Sequence, residues 1–317
     1  GYDAVMGPNG QSHHVAPDFG QAYRMVLLHH KMLADTSRPR YTCDPWDRDV
    51  CSSREIASIL DHRHNPARKT PFAIRPVMEA LKDTDSGLLE RWSDASGADG
   101  AVVWDTRVGG RAVTLIGIES HHRRDADGPG ENQTWWAAGT LYPAAAKKIA
   151  RALNHASGRR PVAVLANLAG FDGSAWSLRN HQLEFGAEIA RAVVNFDGPI
   201  VVFVIGRFHG GAYVVFNKTL NDGVRMLAVE GTKVSVIGGS AAAEVVLTKA
   251  VRARAAELEG DVHTAAAEVA REFDAVHSVE RAHAVGSVDA VIAAGQLRPA
   301  MIGELNAACD ARELRSG

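Results

Sequence analysis

Two short runs constrain this chain more than anything else in it. Pro161-Val162-Ala163-Val164-Leu165-Ala166 and Ile200-Val201-Val202-Phe203-Val204-Ile205 are apolar almost without interruption. A strand with one face in water alternates apolar and polar residues. Runs like these read instead as strands buried on both faces, the habit of parallel sheets covered by helices. Each is followed by a glycine turn, Gly170-Phe171-Asp172-Gly173-Ser174 after the first and Gly210-Gly211-Ala212 after the second. Between them, a helical period runs from about Ala175 to Phe196, with Leu183, Gly186, Ala187, Ala190, Val193 and Val194 expected on one face. Strand, glycine turn and helix in repetition predict an α/β layered fold.

The rest of the chain extends this pattern. Residues 1–34 open on Gly7-Pro8-Asn9-Gly10 and continue as a helical pattern carrying Phe19, Tyr23, Val26, Leu27 and Leu33. Asp35 through Val50 hold two prolines and no helical period, which predicts a linker and a boundary. Helix and loop are expected over 54–93, then a hairpin of 100–104 and 113–117 turning at Gly109-Gly110. His121 to Asn132 is polar and glycine-rich, an expected exposed loop. Pro143 to Ala156 predicts a helix started by proline, with Lys147, Lys148 and Arg151 on a solvated side. After the second glycine turn come an apolar run from Tyr213 to Phe216 and short strands around 226–229 and 234–237. A Gly238-Gly239 pair and alanine-rich helices over 241–276 follow.

Composition excludes several classes. The 317 residues are 46% apolar and 23% charged, the balance of a globular protein with a sizeable core. A net charge of −2 argues against a protein that coats nucleic acid or a membrane surface. No run approaches the roughly 18 apolar residues of a membrane span. Cys43, Cys51 and Cys309 show no metal-ligand spacing and cannot all pair, so reduced thiols in a cytoplasmic protein are expected. The chain opens Gly1-Tyr2-Asp3, without a signal-peptide pattern and without Met, which suggests a piece of a longer or processed polypeptide.

Chemistry points to the glycine turns. A glycine amide at the end of a rigid strand can approach a ligand closely. Two such N–H groups aimed at one oxygen make an oxyanion hole. Gly210-Gly211-Ala212 is the better candidate, although most Gly-Gly pairs are only tight turns. Other constellations are weaker. The paired histidines 13–14, 29–30 and 121–122 lack partner ligands at metal spacing. Ser174 stands in no Gly-x-Ser-x-Gly motif. Asn132-Gln133-Thr134 and Asn217-Lys218-Thr219 match a glycosylation pattern that has no meaning in a cytoplasmic protein. His30-Lys31-Met32 lacks the flanks and hairpin of a biotinylated lysine.

The segment Ala166-Asn167-Leu168-Ala169-Gly170-Phe171-Asp172-Gly173-Ser174 resembles a loop of the biotin-dependent acyl-CoA carboxyltransferases, where a strand ends in Gly-Phe and another glycine follows. His209-Gly210-Gly211-Ala212-Tyr213 is similar to that family's Gly-Gly-Ala-Tyr turn. Ala228-Val229-Glu230-Gly231 and Ile237-Gly238-Gly239-Ser240 look like its later loop and helix start. Arg281-Ala282, Gly286-Ser287-Val288-Asp289, Ile292 and Leu297-Arg298-Pro299 resemble its closing helix. Gly10-Gln11-Ser12-His13-His14 and Asp44-Pro45-Trp46-Asp47-Arg48 resemble the end of its N-terminal half and the join. The match runs in order over nearly the whole chain.

The resemblance implies a crotonase (ClpP/crotonase)-like ββα spiral. Residues 1–40 would be the tail of the N-terminal half with its linker, and 41–317 the C-terminal, biotin-binding half. It implies transfer of CO2 from carboxybiotin to the α-carbon of an acyl-CoA, as in acetyl-CoA carboxylase and fatty acid metabolism. The amides of Gly211 and Ala212, with Gly210, would hold the biotin ureido oxygen. Gly170, Phe171, Gly173, His209, Tyr213, Gly238 and Gly239 would line the biotin and substrate pocket. Cofactors would be biotin on a carrier and the coenzyme A of the substrate, with no metal in this domain. Partners would be the N-terminal half, the carrier, biotin carboxylase and further copies of the chain. One departure stands out: the fused acetyl-CoA enzymes carry Arg where this chain has His209, which puts acetyl-CoA in question. On this reading Ala212→Val would leave the fold intact while transfer fell by orders of magnitude. The alternatives are an enoyl-CoA hydratase or isomerase, a biotin-dependent decarboxylase and a non-catalytic assembly module. The hydratase would want a loop glutamate, whereas Glu184 and Glu188 fall on the helix.

Overall fold

The computed structural model describes residues 1–33, 39–124 and 135–316. A leading helix α1 (Phe19–Leu33) is followed by α2 (Arg54–Leu60) and α3 (Ile74–Leu81). Strands β1 (Leu89–Glu90), β2 (Ala101–Val108) and β3 (Arg111–Ile118) come next, then the short β4 (Arg123–Arg124), β5 (Trp135–Trp136) and β6 (Thr140–Leu141). The polar loop expected at 121–132 lies outside the described residues from 125 onward, as does the Asn132-Gln133-Thr134 motif. Helix α4 (Pro143–Ala156) leads to β7 (Val162–Leu168) and β8 (Gly170–Phe171), then α5 (Ala175–Arg179), α6 (Gln182–Val194) and β9 (Ile200–Phe208). The chain closes with α7 (Gly211–Val215), β10 (Val224–Val229), β11 (Lys233–Val234), α8 (Gly239–Ala241), α9 (Thr248–Glu257), α10 (Val262–Val276), α11 (Val279–Ala284), β12 (Ala290–Ile292) and α12 (Leu297–Ser316).

Eight strands form one sheet in the order β1-β2-β3-β7-β9-β10-β12, with β11 added beside the end of β9. From β3 onward the neighbours are parallel. The uninterrupted apolar runs follow from this position. Val162, Val164, Val202 and Val204 face a core built with Ile149 and Leu153 of α4 and Ile189 and Val193 of α6. Ala163, Leu165, Val201, Phe203 and Ile205 face the opposite core, with Val77 and Met78 of α3 and Met301 and Leu305 of α12. Each fully buried aliphatic side chain contributes about 1.5–3 kcal/mol before entropy is counted, so both faces must stay covered.

Several expectations need correction. The helix expected over 175–196 is two helices, broken where His181 adopts the left-handed conformation (φ 67°). Its buried face is rotated: Gly186, Ile189, Ala192 and Val193 point inward while Leu183 and Val194 are exposed. Lys148 is not solvated; it is buried, and burial pushes its ammonium down to about 8, with Glu90 opposing. Lys147 remains exposed with its ammonium over the Phe185 ring, and Arg151 packs over Trp92. The apolar residues Phe19, Tyr23, Val26 and Leu27 of α1 lie exposed. Residues 39–50, expected as a linker, run as a docked strap. Arg40 donates its amide to Gly110 O, and buried Arg298 holds Pro45 O and Trp46 O at 2.8 and 3.2 Å.

Candidate active site at the glycine turns

The C-terminal ends of β7 and β9 lie side by side, and their pairing slips between Ala166 and Leu168. Asn167 lies at the slip. Its Oδ1 accepts the Arg207 amide at 2.8 Å, and its Nδ2 donates to Ser120 Oγ at 3.1 Å. A Cβ on Gly206 would overlap the Asn167 carboxamide, so the strand can pass only as glycine there. Beyond the slip the two turns are knit together. His209 donates its amide to Leu168 O at 3.0 Å, and a Cβ on Gly210 would sit 3.4 Å from Gly170 Cα. Gly170, at φ +142°, occupies backbone space that side chains rarely enter. Gly173 is exposed with open space around it.

Gly210 turns at φ +62° and gives its amide to Val236 O at 2.8 Å. Helix α7 begins at the next residue, so the amides of Gly211 and Ala212 stand in a first turn with no intrahelical acceptor. Phe171 explains the glycine at 211. Its ring fills the space where a Cβ on Gly211 would be, and a Cβ on Gly186 would come within 2.7 Å of it. The aromatic side chain is therefore a wedge between α6 and the turn, half-buried and packed on the core.

His209 is buried, with Nδ1 3.0 Å from Ser235 Oγ. That hydroxyl donates its one proton to Ile237 O at 2.5 Å, so it can only accept from the imidazole. Nδ1 of His209 therefore carries a proton, and burial pushes the pKa of the ring down to about 4, which favours the neutral form. Gly238 makes room for this ring, since a Cβ there would lie 3.3 Å from His209 Cδ2. Gly239 does different work: its amide donates to Asp274 Oδ1 at 2.8 Å, and a Cβ would overlap Ala270 O of α10. Tyr213 faces a cavity of about 240 Å³ shared with Ser235, Phe273, His277 and Arg281, its hydroxyl 3.2 Å from Ser287 Oγ.

The fold therefore brings Gly170, Phe171, His209, Gly210, Gly211, Ala212 and Gly238 to one place, with Tyr213 beside it. Sequence reasoning missed Asn167, Ser235 and Arg207. The two strand residues break otherwise apolar stretches, a usable signal. Arg207 is half-buried, and burial lowers its pKa while the Asp274 carboxylate opposes the shift; its Nε has no acceptor among the described residues. Among the described residues no group of three or more His, Cys, Asp or Glu is placed to hold a metal.

Residues 1–316 match the model of the family described as "Carboxyl transferase domain". The chain is 29% identical over 240 residues, 68% of its length, to the mitochondrial acetyl-CoA carboxylase of Saccharomyces cerevisiae, of which this is 10%. It is 26% identical over 260 residues, 74% of its length, to the acetyl-CoA carboxylase dmxL1 of Cryptosporiopsis sp., covering 11% of that protein. Among solved structures, transcarboxylase 12S, with methylmalonyl-coenzyme A and methylmalonic acid bound, superposes with a TM-score of 0.78. The identity is 21%, over 97% of this chain and 54% of that one, a likeness of fold that agrees with the expected crotonase-type architecture. The chain thus spans about a tenth of the curated relatives and about half of the solved chain.

Proposed function

The chain belongs to the carboxyl transferase domain family, and on that premise we propose that it is the biotin-facing half of an acyl-CoA carboxyltransferase. The observation that carries the reading is the pair of first-turn amides at Gly211 and Ala212, set by the Gly210 turn whose own amide is tied to Val236 O, beside a buried imidazole of lowered pKa. With its pKa pushed down to about 4, that imidazole is a poor base, so the site stabilises an oxyanion without relying on it. Carboxybiotin, presented on a carrier, would supply both the CO2 and the base, so glycine amides suffice.

In this reading Gly211 and Ala212 hold the ureido oxygen of biotin, and Gly210 sets their direction. A lost donor of this kind costs about 2.7–4 kcal/mol of transition-state stabilisation. Gly170, with the Phe171 wedge behind it, forms one wall; Gly238 and Tyr213 form the other. His209 positions the turn rather than carrying charge. The cation for a substrate carboxylate is then Arg207, two residues earlier and so on the same side of an extended chain. Gly239 serves the packing of α10, and Gly173 leaves the approach open.

Residues 1–40 are the end of a CoA-facing half, whose remainder completes the site, and 41–317 are the biotin-binding half. Partners are that half, a biotin carrier, biotin carboxylase and further copies of the chain. A reducing compartment, the cytoplasm in this reading, agrees with Cys43, Cys51 and Cys309 not being joined to one another. A hydratase is not favoured: Glu184 pairs with His181 at 3.0 Å and Glu188 with Arg191, both along α6 rather than at the turns.

The test uses the full-length protein with free biotin and malonyl-, methylmalonyl- or long-chain carboxyacyl-CoA. Biotin-dependent loss of the thioester carboxylate is expected, and the preferred thioester ranks the acyl chain. No loss from any of them, by folded and assembled protein, would overturn the reading.

A further inference from the structure

Opposite the glycine turns, at the N-terminal ends of the parallel strands, two guanidinium groups share one carboxylate. Arg91 donates Nε to Asp105 Oδ2 at 2.6 Å, and Arg160 approaches the same oxygen at 3.3 Å; all three side chains are 0–2% exposed. The cluster keeps one uncompensated positive charge. None of Arg160's three guanidinium nitrogens has a hydrogen-bond acceptor among the described residues. Burying charge this way is costly unless something compensates it.

Arg91 also lines a cavity of about 410 Å³, within the size range of small-molecule sites. Four histidines share its polar side. Arg91 donates to His13 Nδ1 at 3.0 Å, and His14 Nδ1 donates to Glu90 O at 2.7 Å. The His13 and His29 rings lie 5.8 and 6.4 Å from His155. Nε2 of both His14 and His155 is buried without a partner. The other side is apolar, with Val15, Ala16, Met25 and Val26.

We propose that this cavity is a binding site for a carboxylate bearing a short apolar tail. The head would compensate the Arg91–Asp105–Arg160 cluster and accept protons donated by His14 and His155 once these are charged. The tail would lie against Met25 and Val26. Nothing in this assignment depends on carboxyl transfer. Burial, and next Arg91, hold all four imidazoles below their ordinary range, so an entering anion raises them and binding takes up protons. The charged groups facing these rings are Arg91 and Asp105 from β1–β2, Arg159 and Arg160 before β7, Arg151 from α4 and His30 from α1.

Calorimetric titration of the full-length protein with octanoate tests it, run in two buffers of different ionisation heat at about pH 6 and about pH 8. Saturable one-to-one binding with net proton uptake is expected, roughly tenfold tighter at the lower pH. Met25→Trp, which fills the apolar side, should weaken it at least roughly tenfold and leave carboxyl transfer unchanged. Octanol binding as well as octanoate would overturn the anionic head, and inorganic phosphate binding as well would overturn the tail. No saturable octanoate binding, or binding without proton uptake in the unmodified protein, would overturn the site altogether.

Discussion

The two ends of the sheet solve electrostatic problems by different means. At the C-terminal ends of β7 and β9, partial positive charge comes from backbone amides at Gly211 and Ala212, and the nearest imidazole is kept neutral. At the N-terminal ends, full charges are buried on Arg91, Asp105 and Arg160. Amides held by a strand and a helix start need no counter-ion and cannot be titrated, so the turn end can meet a transient anion without reorganising. Buried ions are strong only while they remain matched. One end presents fixed dipoles, the other matched buried charges.

The largest effect should come from Asp105→Asn, which strands two buried guanidinium groups. It should cost about 3–5 kcal/mol of folding stability, measured by urea denaturation. Carboxyl transfer per folded molecule should stay near normal; a parallel collapse of activity would break the contrast between the ends. Gly211→Ala comes next. Its methyl displaces the Phe171 ring, and transfer should fall about 10²–10³-fold with the fold retained. Unchanged turnover in a folded variant would remove the amides from the chemistry. Asn167→Ala should cost about 1–3 kcal/mol, because the Arg207 amide loses its acceptor beneath the turns.

The smallest effect is a titration. His209 has a folded-state pKa near 4 against an ordinary 6.5, so the unfolded chain binds the proton more readily. The native state is at no disadvantage above 6.5 and loses stability as pH falls toward 4. His209→Gln should flatten that limb, by about 1 kcal/mol at about pH 5.5. An equal acid slope in the variant would assign it to the histidines at the opposite end.

Much of this was readable from residue order. Continuous apolar runs told of burial on both faces, Gly109-Gly110 marked the hairpin, and the glycine turns marked where the ends of β7 and β9 are knit together. What stayed hidden depended on distant partners. Lys148 lies on a helix whose polar residues looked solvated; only the sheet brings Glu90 near enough to make its burial tolerable. The break at His181 resets the helical phase, so a periodicity extrapolated from 175 predicts the wrong buried face. Asn167 and Gly206 are unremarkable 39 positions apart and make sense only as a clasp between neighbouring strands. The role of His209 was unreadable for the same reason, since Ser235 fixes its tautomer from another strand end.

That single hydroxyl has a consequence of its own. A proton held between a buried ring and an oxygen already committed elsewhere has no fast route to solvent. The His209 Nδ1 proton should therefore exchange slowly and appear as a discrete low-field nuclear magnetic resonance signal. Its lifetime would time the opening of the turn in solution, a clock at the site that needs no substrate to read.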